Sequence, residues 1–574
     1  MRMRQKKLPV GIENFEDIRK EPFYYADKTG LLVELLDSWG AVNLFTRPRR
    51  FGKTLNMSML EHFFSLHGDK SIFDGLQISK ETELCDRYMG KYPVVSVSLK
   101  GIEALSYEKA LQMAVLILKR PAARVQYLLE STVLSEQDKE DYRKLLDNAM
   151  GEAMLCDSLR LLCELLEKHH GRKVILLIDE YDVPLAKAFE HGYYEQMVSF
   201  IRSLLGQALK TNSSLKFAVL TGCLRISKES IFTGLNNLRV ITATDTQFGG
   251  YFGFTDKEVR RMLEYYACLE QYDMVKKWYD GYQFGNTQVY CPWDVICHLA
   301  KLRINKTKTV QPQNYWINTS SNSVVKQFIQ KSADAAAKRE IERLVAGETI
   351  RKKIYEELFY PEMYQKAEHL WSMLFMTGYL TKRGNADGRS MELAIPNLEI
   401  RDIFMEQIME YFQENIRKDG DTLNRFCSAL QNGDAQNAEK LLASYLRKTI
   451  SIRDTSIRNS MKENFYHGVL IGILGVKEGW GLTSNREMGE GYADILAEPD
   501  TGDMGIIIEV KYAHDANLDA ACREALSQIE HTRYEDDLLD DGIGHILKYG
   551  IACYKKQCRV MLAENMQIAQ QPYD

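Results

Sequence analysis

The sequence lacks the patterns that mark an exported, membrane-spanning or zinc-stabilised protein. Its eleven cysteines are scattered singly, without a Cys-x-x-Cys pair, which predicts reduced thiols rather than a disulfide framework or a structural zinc site. No run of about 18 apolar residues occurs, which excludes a membrane-spanning helix. The basic start of the chain is not followed by the apolar stretch of a secretory signal. We therefore expect a cytoplasmic protein with no membrane partner.

A net basic charge is also missing. The 574 residues carry a formal net charge of −5, so the chain as a whole offers no positive field, which argues against a protein that coats DNA. A local basic patch would still be enough to bind a polynucleotide. Apolar residues make up 45% and charged residues 27% of the chain, which is ordinary globular composition, and the length predicts roughly two to four domains.

Short apolar runs alternate with longer helical patterns between about residues 40 and 245. The run 173–178 is almost wholly apolar, which is typical of a strand in the middle of a parallel sheet. Strands that alternate with helices predict a doubly wound α/β core. The predicted strands cover residues 41–46, 93–99, 173–178, 216–221 and 239–244.

The pattern changes near residue 245. Thr255 and Glu258 form a capping-box signature at the start of a helix, and from there to about residue 440 the sequence is mainly helical and poor in strands. The pattern then returns to α/β, with a helix over 459–474, a hairpin, a helix over 518–540 and a strand over 550–554. The predicted domains are therefore 1–250, 251–440 (a helical lid and connector) and 441–574.

A phosphate-binding loop is predicted between the first strand and the helix over 53–64. Gly52, Lys53 and Thr54 form the second half of a P-loop. The glycine lets the backbone approach a phosphate, the lysine reaches the β- and γ-phosphate oxygens, and the threonine hydroxyl holds Mg²⁺. Arg47 stands where the full pattern has its first glycine, so a chance Gly-Lys-Thr at a helix start is the alternative.

Two acidic residues, Asp179 and Glu180, follow the apolar run 173–178. In this Walker B pattern the first acid binds Mg²⁺ through water, and the second orients or deprotonates the attacking water. With Gly-Lys-Thr upstream on a neighbouring strand, the pair predicts an ATP site. Arg47, Arg49 and Arg50 add positive charge around the loop, where they either bind phosphates or only keep the loop solvated.

A second acidic constellation lies near the C-terminus. Residues 506–513 read Ile-Ile-Ile-Glu-Val-Lys-Tyr-Ala, and because side chains alternate along a strand, Glu509 and Lys511 share one face. Asp494 lies on the preceding strand of a predicted hairpin, near enough to meet Glu509. Two carboxylates from adjacent strands favour Mg²⁺ or Mn²⁺. Such a metal polarises a phosphodiester and activates water, and Lys511 orients that water or stabilises the developing charge.

The alternative for Glu509 and Lys511 is an ion pair on a solvated sheet face, because Glu-x-Lys tripeptides are common in charged chains. The three isoleucines before Glu509 instead indicate a buried central strand, where a charge needs a partner or a metal. Upstream, Glu463 and His467 lie on one helix face. Glu463 is a candidate to complete the metal shell, whereas His467 is expected to have a structural or phosphate-contacting role.

Several short blocks, taken together, are specific enough to indicate a family. They are Leu8-Pro-Val-Gly-Ile-Glu-Asn-Phe15, Tyr25-Ala-Asp-Lys28, Arg47-Pro-Arg-Arg-Phe-Gly-Lys-Thr-Leu55, Ile178-Asp-Glu-Tyr-Asp-Val-Pro184, Thr221-Gly-Cys-Leu-Arg-Ile-Ser-Lys-Glu-Ser-Ile231, Trp278-Tyr-Asp-Gly-Tyr282 and the stretch 489–512. On these blocks essentially the whole chain resembles bacterial AAA-ATPase-like proteins with a C-terminal PD-(D/E)XK nuclease-superfamily domain. Arg47 in the P-loop looks typical of that family.

The resemblance implies an α/β fold: a P-loop NTPase parallel sheet with a helical lid and connector, followed by a restriction-endonuclease-like α/β domain. It places a polar sensor at Thr221 and a reader of the γ-phosphate at Arg225, for which a capping threonine and a surface arginine are the alternatives. Gln528 and Tyr534 fall where the nuclease fold often keeps supporting polar residues. For the block 278–282 the resemblance supplies no mechanism, and a turn with an Asp cap is the simplest interpretation.

Both motif sets predict an ATP-binding protein coupled to a metal-dependent nuclease. Its cofactors are ATP and Mg²⁺ or Mn²⁺, its partner is DNA or RNA, and its catalytic residues are Asp494, Glu509, Lys511 and Glu180. One alternative is an ATP-switched binding module with an inactive nuclease fold, and another is an ATPase in which Glu509 and Lys511 form only a structural pair. A homo-oligomer fits AAA-type sites, which often use an arginine from a neighbour, and a role in phage or mobile-element defence rests on analogy.

Overall fold

The chain forms two compact units that alternate along the sequence. The computed structural model describes residues 5–210, 212–225, 231–232, 235–304, 310–316, 323–331, 335–358, 360–363, 366–448, 459–488, 491–500, 504–540 and 542–563. Unit 1 comprises Met1–Ser321 and Arg351–Ile400, and unit 2 comprises Asn322–Ile350 and Arg401–Asp574. The predicted domain boundaries near residues 250 and 440 stay predictions, because the compact units divide the chain at other points.

Unit 1 is built around a parallel sheet. Its strands are β1 Val42–Thr46, β2 Val94–Ser98, β3 Val174–Asp179, β4 Leu215–Gly222 and β5 Leu238–Ile241. They lie in the order β2-β3-β4-β1-β5, and all neighbours pair in parallel. Every residue of β1 and β3 is buried, whereas the edge strands β2 and β5 are partly exposed, as expected when helices cover both faces of a parallel sheet.

Helices precede and connect these strands. They are α1 Phe15–Lys20, α2 Gly30–Ser38, α3 Lys53–Phe64, α4 Thr82–Tyr88, α5 Tyr107–Ala123, α6 Glu136–Leu145, α7 Glu152–His170, α8 Val183–Glu190 and α9 Tyr194–Leu209. In α7 the buried residues Leu155, Leu159, Leu162 and Leu166 recur every three or four positions, so a single face of the helix is apolar and packs inward.

The segment after β5 contains short strands as well as helices. Its elements are β6 Phe254–Thr255, α10 Asp256–Tyr265, α11 Tyr272–Tyr279, β7 Tyr282–Phe284, β8 Thr287–Tyr290, α12 Pro292–Ile304, α13 Ser323–Lys331, α14 Ala335–Val345, β9 Ile350–Lys353, α15 Tyr360–Met363, α16 Ala367–Thr377, β10 Thr381–Asp387, β11 Ser390–Ala394 and α17 Leu398–Lys418. The predicted capping box is present at the start of α10, where Thr255 and Glu258 each accept the other's backbone N–H.

The short strands of this segment were not predicted. β6, β8 and β7 form one three-stranded sheet, and β10, β11 and β9 form another. The strands range from two residues in β6 to seven in β10, which is too short for a clear alternation of apolar and polar residues. A usable signal was the pair Gly285 and Asn286 between β7 and β8, because a two-residue loop that starts with glycine favours a hairpin.

Unit 2 contains a mixed sheet. Its further elements are α18 Gly420–Gln431, α19 Ala435–Lys448, α20 Asn459–Leu474, β12 Trp480–Met488, β13 Gly491–Pro499, β14 Met504–Tyr512, α21 Leu518–His531, α22 Glu535–Asp540, β15 His545–Tyr554 and β16 Gln557–Leu562. The strands follow sequence order across the sheet. β14 and β15 pair in parallel, and the other neighbours pair antiparallel. The parallel sheet of unit 1 and this separate mixed sheet confirm the predicted fold class.

All eleven cysteines are free thiols. Within the described ranges, no helix combines the length and the apolar character needed to cross a membrane.

A buried ion pair joins the N-terminal part of unit 1 to α10. Lys28 Nζ lies 2.6 Å from Glu258 Oε2 and donates to the carbonyl oxygen of Gly250 at 2.9 Å. Lys28 is only 6% exposed, and this burial lowers its pKa although the charge of Glu258 acts in the opposite direction. Removal of one partner from such a pair leaves a buried charge without compensation.

We expect Lys28→Met to lower the free energy of unfolding of unit 1 by about 3 kcal/mol, because Glu258 loses its cation. Chemical unfolding followed by tryptophan fluorescence measures the change. Lys20→Met is the control, because Lys20 pairs with Glu16 at the surface with its side chain 53% exposed, and there we expect no measurable change. A wild-type unfolding midpoint for Lys28→Met would contradict a stabilising role of the pair.

Candidate nucleotide and metal sites

The candidate phosphate loop joins β1 to α3. Gly52, immediately before α3, has a positive φ of +80°, which glycine adopts without strain. Lys53 and Thr54 are the first residues of the helix, where backbone N–H groups have no partner within the helix and attract anions. The backbone therefore has the geometry of an anion site at the predicted position.

The ammonium group of Lys53 is buried inside this loop. Nζ donates to the carbonyl oxygens of Arg47 at 3.1 Å and Pro48 at 2.9 Å, and it lies 3.6 Å from Sγ of Cys223. The loop backbone therefore positions the cation. A phosphate in the loop would meet a charged donor that is already ordered, which strengthens binding.

Three side chains meet at the carboxyl ends of β3 and β4. Thr54 Oγ1 donates to Asp179 Oδ2 at 2.7 Å, and Thr221 Oγ1 donates to the other oxygen, Oδ1. β4 lies between β1 and β3, so the prediction that the P-loop strand and the acidic strand are neighbours is wrong. Thr54 and Asp179 still meet because α3 packs against β3.

Glu180 follows β3 in an unusual backbone conformation. Its φ is +53°, a value that is uncommon for a residue with a side chain and that clusters at functional sites. Its N–H donates to Thr221 Oγ1 at 3.4 Å. Burial, and then the charge of Asp179, raise the pKa of Glu180, which brings this carboxyl group closer to the range of a general base.

Arg47, which replaces the first glycine of the P-loop pattern, is fully buried. Nη1 donates to the carbonyl oxygens of Thr46 at 2.8 Å and Ile241 at 3.1 Å. The guanidinium carbon lies 5.1 Å and 5.2 Å from the ring centroids of Phe252 and Phe284, and burial lowers the pKa of Arg47 to about 10. These contacts attach the loop to β5, so Arg47 supports the loop from within.

The other two arginines of the loop lie nearer the surface. Arg49 is exposed, whereas the guanidinium of Arg50 lies 4.3 Å from the ring centroid of Trp293. Phosphate binding by either residue stays a prediction.

Two acids that sequence reasoning missed hold the segment after β4. Asp182 Oδ2 accepts the N–H groups of Cys223 at 2.9 Å and Leu224 at 3.0 Å. Arg225 Nη2 forms an ion pair with Glu357 Oε1. Asp182 belongs to a family block, which was a signal for it, whereas no pattern in the sequence pointed to Glu357. Residues 226–230 of the block that begins at Thr221 lie outside the described residues.

An apolar pocket adjoins Gly52, and sequence reasoning missed it too. It encloses about 550 Å³ of empty space, part of it open to solvent. Its walls include Leu8, Ile18, Tyr25, Leu55, Phe254 and Met262. Two family blocks without an assigned role thus line a cavity beside the phosphate loop, and its apolar walls suit the flat base of a nucleotide.

The block 278–282 packs behind the phosphate loop. Tyr282 is buried, and its ring lies edge-on to Phe51 with centroids 4.8 Å apart. Gly281 has a φ of +99°, and a Cβ there would lie 2.0 Å from the carbonyl oxygen of Pro396, so no larger residue fits. The block therefore supports Phe51 of the loop, which goes beyond the simple turn that the sequence indicated.

The second candidate site lies near the end of β14. Lys511 Nζ lies 3.2 Å from Glu509 Oε1, so the structure places both side chains on one face of the strand. Ile495 of β13 pairs with Ile508 of β14, which brings the preceding residue, Asp494, beside Glu509. Residues 489–490 and 501–503 of this stretch lie outside the described residues.

Beyond Ile508, where the pairing of β13 with β14 ends, carboxylates accept the backbone N–H groups of β14. The N–H of Val510 donates to Asp494 Oδ2 at 2.9 Å, and the N–H of Tyr512 donates to Glu463 Oε1, from α20, at 3.3 Å. Both N–H groups would otherwise lack an acceptor at the strand edge. The edge of β14 thus brings two acids from separate elements to the same place as Glu509.

The electrostatics of this site are dominated by burial and negative charge. Glu509 is 1% exposed, and burial, followed by the charge of Asp494, raises its pKa to about 7. In the described part of the chain its Oε2 has no hydrogen-bond partner. Burial lowers the pKa of Lys511, but the charges of Glu509, Glu463 and Asp494 act against burial, and the pKa lies above its ordinary value. The charges of all three predicted acids therefore raise the pKa of Lys511.

The arrangement of these oxygens bears on metal binding. In the part of the chain that the structure describes, no three His, Cys, Asp or Glu side chains are arranged to hold a metal ion. Asp494 and Glu463 accept backbone N–H groups instead. The donor set nevertheless fits a hard divalent cation, because it consists of carboxylate oxygens. Glu509 Oε2 is a buried acceptor that finds no donor among the described residues, which is costly.

Comparison with known proteins finds a family match for each of two parts of the chain. Residues 9–232 match a family described as predicted AAA-ATPase, and residues 461–562 match the PD-(D/E)XK nuclease superfamily. The chain carries both domains. It is also similar to an uncharacterized protein in the vnfD 5' region of Azotobacter chroococcum mcd 1, with 26% identity over 422 residues, which cover 71% of this chain and 70% of that protein. The two family matches confirm the resemblance inferred from the sequence blocks.

Three further polar residues of the nuclease-superfamily domain have structural contacts. His467 Nε2 lies 2.7 Å from the carbonyl oxygen of Asp494, so the histidine holds β13 in place. Gln528 Nε2 donates to the hydroxyl of Tyr534 at 3.4 Å. Tyr534 packs in a core that includes Ile507, so this pair supports the sheet that carries Glu509.

We expect the raised pKa of Glu509 to make the metal-free nuclease-superfamily domain less stable at high pH. Folding raises the pKa from 4.5 to about 7, so the stabilisation is complete below pH 4.5 and is lost as the pH rises through about 7. Glu509→Gln cannot ionise and should unfold at a higher temperature than the wild type near pH 8, with a smaller difference near pH 5.

Thermal unfolding in a chelator at both pH values measures this effect. Glu530→Gln is the control, because Glu530 is an exposed residue of α21 and should behave like the wild type at either pH. Equal effects of Glu509→Gln at the two pH values would contradict the raised pKa.

Proposed function

We propose that the protein binds ATP with Mg²⁺ in its AAA-ATPase-like domain and hydrolyses phosphodiester bonds of nucleic acid, with Mg²⁺ or Mn²⁺, in its nuclease-superfamily domain. The observation that carries the proposal is the buried carboxylate of Glu509, whose Oε2 has no partner among the described residues although Asp494 and Lys511 lie beside it. A buried carboxylate oxygen without a donor is costly, so this arrangement supports a site that receives a cation.

The roles of the nuclease residues follow from their contacts. A divalent cation supplies Lewis acidity, polarising the phosphodiester and lowering the pKa of a bound water. Glu509 and Asp494 would hold it, with Glu463 as a further carboxylate at the same strand edge. Lys511 has a raised pKa, so it stays protonated and acts as a hydrogen-bond donor to the attacking water or the phosphate, not as a base.

The roles in the nucleotide site follow in the same way. Lys53 would donate to the β- and γ-phosphates, and Thr54 and Asp179, which bond each other at 2.7 Å, would hold Mg²⁺. Glu180, with its raised pKa, is the group that orients or deprotonates water. Thr221 bonds to Asp179, which places it to sense the charge at the magnesium site.

The base and ribose of ATP are assigned to the apolar pocket beside Gly52. DNA and RNA are the proposed substrates of the second domain. The eleven free thiols support action in the reducing cytoplasm.

We expect Asp494→Asn to reduce metal-dependent cleavage of DNA or RNA by about 100-fold or more, because one charge of the metal site is lost. The new amide oxygen still accepts the N–H of Val510, so the fold should persist. Gel assays with labelled single- and double-stranded DNA and RNA, in the presence of Mn²⁺, measure the rate. Asp500→Asn, at an exposed position just after β13, is the control and should cleave at the wild-type rate.

Undiminished cleavage by a clean preparation of Asp494→Asn would exclude this site. Wild-type protein that binds Mn²⁺ and a polynucleotide without cleaving it would support the alternative, an ATP-switched binding module with an inactive nuclease fold.

We expect Lys53→Ala to weaken the binding of Mg-ATP by roughly 30-fold or more, because the phosphates lose a buried charged donor. Calorimetric titration measures the affinity. Lys70→Ala, at an exposed position outside the loop, should bind ATP as the wild type does. Equal affinities of Lys53→Ala and wild type would show that ATP does not use this loop.

A further inference from the structure

Two acids lie over the carboxyl ends of β4 and β5. Glu357 Oε1 forms the ion pair with Nη2 of Arg225. Glu356 Oε1 accepts hydrogen bonds from Thr244 Oγ1 at 2.8 Å and Thr242 Oγ1 at 3.3 Å. Glu357 thus contacts the residue Arg225 after β4, and Glu356 contacts two threonines after β5. These contacts attach the segment 354–358 to the carboxyl ends of the parallel strands.

These acids are close to the phosphate loop. Glu356 and Arg225 line a small cavity together with Cys223 and Thr46, the last residue of β1. Lys53 Nζ lies 3.6 Å from Cys223 Sγ, so the cavity lies beside the ammonium group that is proposed to bind the outer phosphates. An anion that extends beyond Lys53 along this edge approaches Arg225.

The ion pair of Arg225 with Glu357 can be exchanged for another anion. The buried Nε of Arg225 has no hydrogen-bond partner among the residues that the structure describes, so Glu357 does not engage every donor of this guanidinium group. The Glu357 side chain is 48% exposed, whereas that of Arg225 is 18% exposed. The acid can therefore turn into water at little cost while the arginine stays in place, and phosphate oxygens match a guanidinium well.

We propose that Glu357 holds Arg225 in the nucleotide-free and ADP-bound protein, and that the γ-phosphate of ATP displaces Glu357 and binds Arg225. This inference rests on the proposed binding of ATP at Lys53. ADP lacks the phosphate that reaches Arg225, so it leaves the ion pair intact. ATP separates the segment 354–358 from β4, and that segment follows closely on Arg351, where the chain re-enters unit 1 from unit 2.

The experiment compares nucleotide affinities of variants by calorimetric titration. Glu357→Gln frees Arg225 without removing bulk, so a non-hydrolysable ATP analogue should bind roughly three- to fivefold tighter than to wild type, as expected for loss of a competing surface ion pair. The affinity for ADP should not change. In an Arg225→Ala background, Glu357→Gln should not change the affinity for either nucleotide, because the arginine for which Glu357 and the γ-phosphate compete is absent.

Asp387→Asn is the matched control. It removes the acid from another arginine pair of unit 1, Arg351 with Asp387 at 2.9 Å, which lies on the surface, and both affinities should equal those of the wild type. As a second readout, hydrogen–deuterium exchange of the peptide 351–358 should rise with the ATP analogue and not with ADP.

Several outcomes would overturn the proposal. These are an unchanged ATP affinity of Glu357→Gln, an equal gain for ADP and ATP, or a gain that persists in the Arg225→Ala background. Failure of the wild type to bind ATP, with no difference from Lys53→Ala, would reject the proposed ATP site and this inference together. ATP binding that depends on Lys53 but not on Glu357 or Arg225 rejects this inference alone.

Discussion

Backbone N–H groups that a β-ladder leaves unpaired determine the layout of both candidate sites. Where β14 leaves β13, the N–H groups of Val510 and Tyr512 bind the carboxylates of Asp494 and Glu463. Beyond the end of β4, Asp182 accepts two N–H groups in the same manner. Because a buried N–H without an acceptor is costly, carboxylates that accept these hydrogen bonds stabilise the structure at these points.

This arrangement concentrates carboxylates where strands end. Glu509 lies there beside Asp494 and Glu463, which accept the N–H groups of Val510 and Tyr512. Its Oε2 is buried and has no hydrogen-bond partner among the described residues, and its pKa is raised. At the other site Glu180 has a raised pKa for the same two reasons, burial and a neighbouring acid. Poor solvation of these acids is the property that a cation or a transferred proton would relieve.

Local sequence patterns were enough to predict much of the fold. The bounds of α3 and the core of each strand in the parallel sheet of unit 1 agree with the prediction, because apolar runs and helix starts are encoded within a few residues. The face shared by Glu509 and Lys511 follows from strand alternation alone. The order of strands depends instead on how the crossover connections pack, which explains why the position of β4 between β1 and β3 was not predicted.

Contacts between residues that are distant in sequence account for the other differences between the predicted and the observed side-chain roles. The sequence allowed Arg47 to be a phosphate ligand, whereas its guanidinium group packs against the rings of Phe252 and Phe284. The ion pair of Arg225 joins residues more than a hundred positions apart, and no periodicity connects them. Side-chain roles in this protein are thus predictable where the partner is close in sequence, and they require the tertiary structure where it is not.

The alternation of the two units along the chain constrains biosynthesis. Unit 1 needs Arg351–Ile400 for completion, and the segment Asn322–Ile350, which belongs to unit 2, is translated before it. Domains generally fold as their chain emerges from the ribosome. Here the parallel sheet of unit 1 is synthesised before the segment Arg351–Ile400 that completes unit 1. The segment Asn322–Ile350 of unit 2 emerges from the ribosome between them. Unit 1 therefore reaches its full set of contacts only after roughly two thirds of the chain has been synthesised.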